Sequence, residues 1–274
     1  MGLEFFRQEI NEIDEKLTKL LGERLKVVEV VADYKKKYKL PIFQPERERE
    51  ILKRYDEQPY VAKVYERILE SSRQLQTKML LDKNIVLIGM PGSGKTSAGR
   101  ILAERLLLKF IDIDAKIAER EGRSVSEIFE TDGEEAFRKI EAEVTLNLLE
   151  HVCDGDCDCK CGENCECKLG DDCGCGCGTP RVISTGGGIV LNDKVMEALC
   201  ENGLVIFIDR PIDAIRLDLA NDDERPLLKK FTLEELYESR KGKYAAWAHN
   251  VIEGNKDPLW IAKEIERMLQ EHIG

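Results

Sequence analysis

The chain has 274 residues, of which 42% are hydrophobic, 35% charged and 6% aromatic, too apolar for a disordered polymer and more than one ordinary domain of roughly 100–200 residues needs. No apolar run reaches the roughly 18 residues of a membrane span, and acids stand in the N-terminal stretch where a targeting peptide is basic or acid-poor, so a soluble cytoplasmic protein with no membrane partner is expected. The net charge of −11 lacks the basic field that phosphate backbones require and excludes a general nucleic-acid binder.

The charge is unevenly placed. Residues 1–80 carry 17 Lys+Arg and 15 Asp+Glu, a net of +2, and the remainder carries −13. Two domains follow, 1–82 and 83–274. In the first, residues 3–38 contain no Gly or Pro except Gly22, and Phe6, Ile10, Ile13, Leu17, Leu20, Leu21, Val27, Val28, Val31 and Tyr34 recur at spacings of three and four, which predicts one long amphipathic helix. Pro41 and Pro45 stop it. A second helix is expected from Pro45 to about Tyr55 and a third from Val61 to about Leu81. A helix of about 36 residues spans about 54 Å, longer than so small a domain covers, so a partner chain and a homodimer are expected.

From Asn84 the texture changes. Ile85–Ile88 reads as a buried parallel strand, followed by a glycine turn and a helix over Ser97–Leu108. Phe110–Asp114 reads as a second strand ending in acids, Ser124–Leu149 as mostly helix, and Arg181–Ser184 and Leu204–Ile208 as further strands. Strands alternating with helices define a parallel α/β sheet. The expected fold is therefore an all-α three-helix domain followed by an α/β domain.

Gly89-Met90-Pro91-Gly92-Ser93-Gly94-Lys95-Thr96 fits G-x-x-x-x-G-K-[ST] in full and lies between a strand and a helix, the context that gives the motif its meaning. Gly92, Ser93, Gly94 and Ser97 supply backbone N–H groups at a helix N-terminus, Lys95 adds a point charge, and the Thr96 hydroxyl suits Mg²⁺. This half is expected to bind ATP or GTP. Asp112 and Asp114, placed on one side of a strand end, suit the Mg²⁺ shell and a substrate hydroxyl; Arg138 and Glu141 share a helix face, or form a plain surface pair. With Arg225, Arg240 and the room beside Gly186-Gly187-Gly188, they suggest a small, hydroxylated, anionic acceptor.

These residues resemble the shikimate kinase family over residues 84–270: the phosphate loop, Asp112-x-Asp114, Ile128-Phe129 to Phe137-Arg138-x-x-Glu141, the glycine triplet, Arg225-Pro226-Leu227-Leu228, and Arg240 before Tyr244. The resemblance implies that Arg138 and Arg240 hold the shikimate carboxylate. It makes Asp114 the base for the 3-hydroxyl, with Asp112 serving Mg²⁺ through water. Gly186–Gly188 would floor the ring, and Arg225 would close over the ATP phosphates beside Lys95. One departure is Gly242, where the family often has Pro.

In the first domain Arg24 and Lys35 are 11 residues apart, about 20° in azimuth and ~16 Å along one helix face, whereas Arg7 lies roughly 100° away and reaches the same pocket only from another chain or through a bend. The domain is similar to the all-helical chorismate mutases, whose chains intertwine as dimers; the matching positions are Arg7, Arg24, Lys35, Arg47, Glu48, Ser72 and Gln76. The resemblance implies that Arg7 of one protomer joins Arg24 and Arg47 of the other around the two carboxylates of chorismate. Lys35 and Gln76 would donate to its ether oxygen and Glu48 would hold the ring hydroxyl. Gln44 stands where relatives commonly have a carboxylate. A silent helical module that dimerises the kinase or senses chorismate is the alternative.

Nine of the ten cysteines lie in residues 151–178, as Cys153, Cys157, Cys159, Cys161, Cys165, Cys167, Cys173, Cys175 and Cys177, among seven acids and two lysines. Their spacing is too dense for one Cys-x-x-Cys finger and looks like the thiolate clusters of metallothioneins, which suits Zn²⁺ or Cu⁺. A disulfide switch and a tolerated disordered insertion are the alternatives.

Overall fold

The computed structural model describes residues 2–150, 179–219 and 232–272. The cysteine-rich stretch and Arg225 lie outside them. The chain divides into two compact units, Met1–Leu81 with Glu266–Gly274, and Asp82–Ile265.

In the first unit, uninterrupted helical periodicity produces α1, Leu3–Tyr38, which ends where Lys39 turns left-handed at φ 53° and donates its N–H to the Lys35 and Lys36 carbonyls. Helices α2, Pro45–Leu52, and α3, Pro59–Leu80, both open on a proline, whose fixed φ and missing donor suit a first turn. A 3₁₀ turn, Lys53–Tyr55, extends α2. α1 packs against α3. The apolar core is small, with Ala32, Ile42 and Leu80 at its centre and Met79 against them. Phe6, Ile10, Ile13, Leu17 and Leu20 on α1 are between 46% and 62% exposed, although their spacing is that of a buried stripe.

The second unit is built on five parallel strands, β1 (Asn84–Ile88), β2 (Lys109–Asp112), β3 (Arg181–Ser184), β4 (Gly203–Asp209) and β5 (Asn250–Glu253), in the order β2-β3-β1-β4-β5. The register pairs Ile85 with Val182 and Leu204, and Leu87 with Ser184 and Ile206. Every residue of β1 and β3 is buried, as expected of parallel strands covered on both faces. Val86, Ile88, Ile183, Val205 and Phe207 enter the main core, which is closed by α5 (Ile113–Glu121), α6 (Val125–Thr131), α7 (Gly133–Glu150), α8 (Asp193–Asn202) and α10 (Leu233–Trp247). On the opposite face Leu87 meets Gly99 of α4, Lys95–Leu106. Helices α9, Ile212–Leu219, and α11, Pro258–His272, complete the order.

One expectation changes. The second strand stops at Asp112, whose carboxylate caps α5 by accepting from the Ala115 N–H at 3.2 Å, so Asp112 and Asp114 sit on a strand end and a first helical turn and do not share a strand face. The stretch 124–149 is mostly helix, as expected, in two pieces, α6 and α7, that meet where Gly133 adopts φ 86°, a conformation that costs glycine little. Arg240 lies on helix α10, opened by a Thr232–Glu235 capping box.

Because α4 carries the phosphate loop and Leu102 is fully buried beneath it, Leu102→Ala is expected to destabilise the second unit by about 2–5 kcal/mol, measured as a lower urea midpoint.

Candidate active sites

The order β3-β1-β4 puts the end of β1 at the point where connections leave in opposite directions, the usual ligand crevice of an open parallel sheet. The phosphate loop emerges there. Gly89, Gly92 and Gly94 take φ of 149°, 80° and 91°, and a Cβ on Gly89 would stand 2.7 Å from the Ile208 carbonyl oxygen, so the turn requires glycine. Lys95 is buried and donates from Nζ to the Gly89 and Met90 carbonyls, 2.9 Å each. Thr96 Oγ1 lies 2.7 Å from Asp112 Oδ2 and 3.3 Å from Ser184 Oγ. This cluster of hard oxygens beside a phosphate loop fits a small divalent cation.

A cavity of about 950 Å³ opens from the loop and is lined on its far side by Asp114, Arg138, Glu141, the glycine triplet and Arg240. Arg138 Nη1 meets Glu141 Oε2 at 2.6 Å, and its guanidinium lies 5.3 Å from the Phe137 ring centroid. Burial pushes the Glu141 carboxyl above the usual carboxylate range against the pull of Arg138, and its Oε1 has no hydrogen-bond partner among the described residues. Arg240, also buried, donates to the Gly187 carbonyl at 3.2 Å, as does the Tyr244 hydroxyl. Burial pushes the Tyr244 phenol up to about 12. A Cβ on Gly186 would stand 2.5 Å from Glu141 Oε1 and 2.9 Å from Asp114 Oδ1, and one on Gly188 would stand 2.1 Å from Arg138 Nη2. The triplet thus keeps the acidic and basic groups close without a side chain between them.

Residues Pro91–Ser97 of the phosphate-loop region, Asp114, Arg138, Gly186–Gly188 and Arg240 are therefore gathered at one crevice, and Asp112 joins them through Thr96. Sequence reading missed Arg210, which donates to the Gly92 carbonyl at 2.8 Å, and the Gly254–Pro258 loop along the cavity. Gly254 and Pro258 bracket that loop between a strand and a helix, the punctuation that marks such turns.

In the first unit, Arg24 Nη1 reaches across to Ser72 Oγ at 2.5 Å, and Gln76 donates to the Ser72 carbonyl at 3.1 Å. Gln76 is buried, and its Oε1 has no hydrogen-bond partner among the described residues. Lys35 is buried too and donates to the Ile42 carbonyl at 2.6 Å. Burial lowers its pKa, partly opposed by Glu48. Arg24, Lys35, Glu48, Ser72 and Gln76 thus line the α1–α2–α3 side of one unit, whereas Arg7, Arg47 and Gln44 are exposed; Arg7 pairs with Glu4 and Arg47 with Glu50. Arg73 was not foreseen. It pairs with Glu48 and lies 5.2 Å from the Phe43 ring centroid. A lone arginine one step off the Ser72–Gln76 face gives no signal in sequence.

A parallel sheet with a phosphate loop at its switch point, beside an acceptor cavity furnished with arginines and carboxylates, defines a nucleotide-dependent phosphotransferase for small molecules. The family model for shikimate kinase matches residues 91–162 and 177–270, and the chain belongs to that family. The model for chorismate mutase type II matches residues 6–77, so the chain joins a mutase domain to the kinase. Shikimate kinases of Persephonella marina and of Clostridium botulinum (strain Eklund 17B / Type B) are 35% and 36% identical over 185 and 191 residues, spanning 67% and 69% of this chain and 96% and 98% of theirs. Among solved structures, shikimate kinase from Acinetobacter baumannii in complex with shikimate matches with a TM-score of 0.56 at 28% identity, covering 68% of this chain and 92% of that one. The Aquifex aeolicus shikimate kinase gives 0.51 at 33%, covering 68% and 95%. The fusion expected from the sequence is thereby found, with both enzyme domains in the expected order.

Gly188 has φ −104°, which alanine adopts freely, so Gly188→Ala acts by displacing Arg138. Loss of one charge-assisted contact of about 1.5–3 kcal/mol is expected to raise the KM for the anionic acceptor about tenfold or more, leaving that for ATP within about twofold, by steady-state assay.

Proposed function

We propose that one chain carries two working sites: residues 1–82 rearrange chorismate to prephenate, and residues 83–274 transfer the γ-phosphoryl group of ATP to the 3-hydroxyl of shikimate. The observation that carries the kinase half is the single crevice in which the phosphate loop faces Asp114, Arg138 and Arg240. Arg138 and Arg240 hold the acceptor carboxylate. Asp114 takes the proton of the attacking hydroxyl, and that oxygen bonds to γ-phosphorus as the bond to the β,γ-bridging oxygen breaks. Lys95 and the loop N–H groups neutralise charge on the phosphoryl oxygens, so the chain works by positioning and electrostatics. Thr96 and Asp112 would hold Mg²⁺, which would neutralise charge on the ATP phosphates when bound. Arg225 is assigned to the lid over the phosphates; it lies outside the described residues.

The mutase half needs no acid, base or metal. Its rearrangement breaks a C–O bond as a C–C bond forms within one molecule, so catalysis rests on holding the compact conformer and on donors aimed at the ether oxygen. Lys35 and Gln76, both buried, fill that role, with Arg24 and Arg47 on the carboxylates and Glu48 on the ring hydroxyl. Gln44 and Ser72 border the substrate. The exposed Phe6–Leu20 stripe supports a homodimer in which Arg7 crosses to the partner's pocket, and the absence of any long apolar helix among the described residues accords with a cytoplasmic enzyme. The nine cysteines of residues 151–178 lie outside the described residues. Their chemistry alone supports a Zn²⁺ or Cu⁺ site there, separate from both reactions.

A paired assay tests the two halves. Lys35→Ala is expected to abolish chorismate consumption and spare shikimate phosphorylation, and Lys95→Ala to do the reverse; one variant that removes both activities in a folded protein sinks the assignment. Lys35 acts as a cation, and burial disfavours the cation. Its proton is therefore lost at a lower pH than that of an ordinary lysine, and the alkaline limb of mutase kcat/KM should fall below the usual lysine value, while Lys35→Arg lacks that limb.

A further inference from the structure

The first unit includes a segment distant in sequence, Glu266–Gly274. It contains the end of α11, where the last four carbonyls of a helix have no partner within it. One of them is used. The Gln270 carbonyl accepts from the Ile42 N–H at 3.1 Å and from the Phe43 N–H at 3.4 Å. Gln270 and Glu266 are buried and joined side chain to side chain at 3.0 Å, so the accepting carbonyl stands on a buried turn. Ile42 in turn offers its carbonyl to Lys35 Nζ, and the Phe43 ring lies against Arg73, the partner of Glu48.

We infer that the last turn of α11 is a positioning element of the chorismate site, its Gln270 carbonyl anchoring the Ile42–Phe43 strap that sets Lys35 and, through Arg73, Glu48. The inference rests on the mutase reading above. The Ile42 side chain is held in the core with Ala32 and Leu80; what fixes the main chain of the strap between Pro41 and Pro45 is a separate matter. Neither proline has an N–H, so the segment carries three amide donors, at Ile42, Phe43 and Gln44, and one carbonyl takes two of them. Lys35 on α1 is buried under this strap, and the charge that bears on it is Glu48 of α2, itself paired with Arg73 of α3. Losing the anchor loosens the carbonyl that holds the ammonium group and admits water to it.

The test compares the full chain with one ending at Leu269. The shorter chain is expected to lose about tenfold or more in mutase kcat/KM, as misplacement of a catalytic group does, and to shift its alkaline limb upward as Lys35 is hydrated. Shikimate phosphorylation serves as the folding control and should stay within about twofold of the full chain. A shorter chain with full kinase activity, unchanged mutase kcat/KM and an unmoved alkaline limb overturns the inference. If both activities vanish on shortening, amide exchange in the full chain decides: slow exchange at Ile42 and Phe43 supports the anchor, and exchange at the rate of an unstructured peptide overturns it. A full chain that leaves chorismate untouched sinks the mutase reading instead, and the same exchange measurement still judges the anchor.

Discussion

Removing a cation from water costs several kcal/mol unless its donors are met, and both sites of this chain are organised around meeting that cost with main-chain oxygens. Lys95 lies on the Gly89 and Met90 carbonyls, Arg240 on that of Gly187, and Lys35 on that of Ile42. A carbonyl offers charge-assisted hydrogen bonding without a counter-charge. Such a bond does not itself cancel the field of the cation, as a carboxylate partner would. Arg138 is the exception: its carboxylate partner Glu141 is buried and has its pKa raised, which makes Glu141 a weaker competitor for the arginine than an exposed glutamate would be. The net charge of −11 therefore does not fix the field inside either candidate site, where these few groups lie closest.

Those carbonyls point inward only because of the backbone that carries them. Gly89 has φ 149°, and the glycine triplet approaches Pro91, Glu141 and Arg138 more closely than a Cβ allows. Ile42 lies in a strap bounded by two prolines. The sheet order places the first two devices at one crevice.

Much of this was legible in the sequence where the signal is local. α1 runs from Leu3 to Tyr38 as its periodicity requires, and the phosphate loop stands between the strand and helix that its motif demands. Legibility failed where a residue serves two neighbours at once. Ile113 and Asp114 alternate like strand residues, yet Asp112 turns the chain by capping α5. Arg73 shows no pattern because its partners, Glu48 and Phe43, come from another part of the chain. The Gln270 carbonyl is a backbone group, and no residue type advertises the acceptance of the Ile42 and Phe43 amides across more than two hundred positions.

The strand order also governs how the larger unit assembles. β1 and β2 are separated in the sheet by β3, and among the described residues β1 pairs with β3 and β4. The first two strands made therefore have no contact with each other to form, and no ladder begins until the chain has been synthesised through Ser184. The cysteine-rich segment lies within that delay, between α7 and β3. Its 28 residues lengthen the interval in which the two strands wait unpaired and raise the contact order.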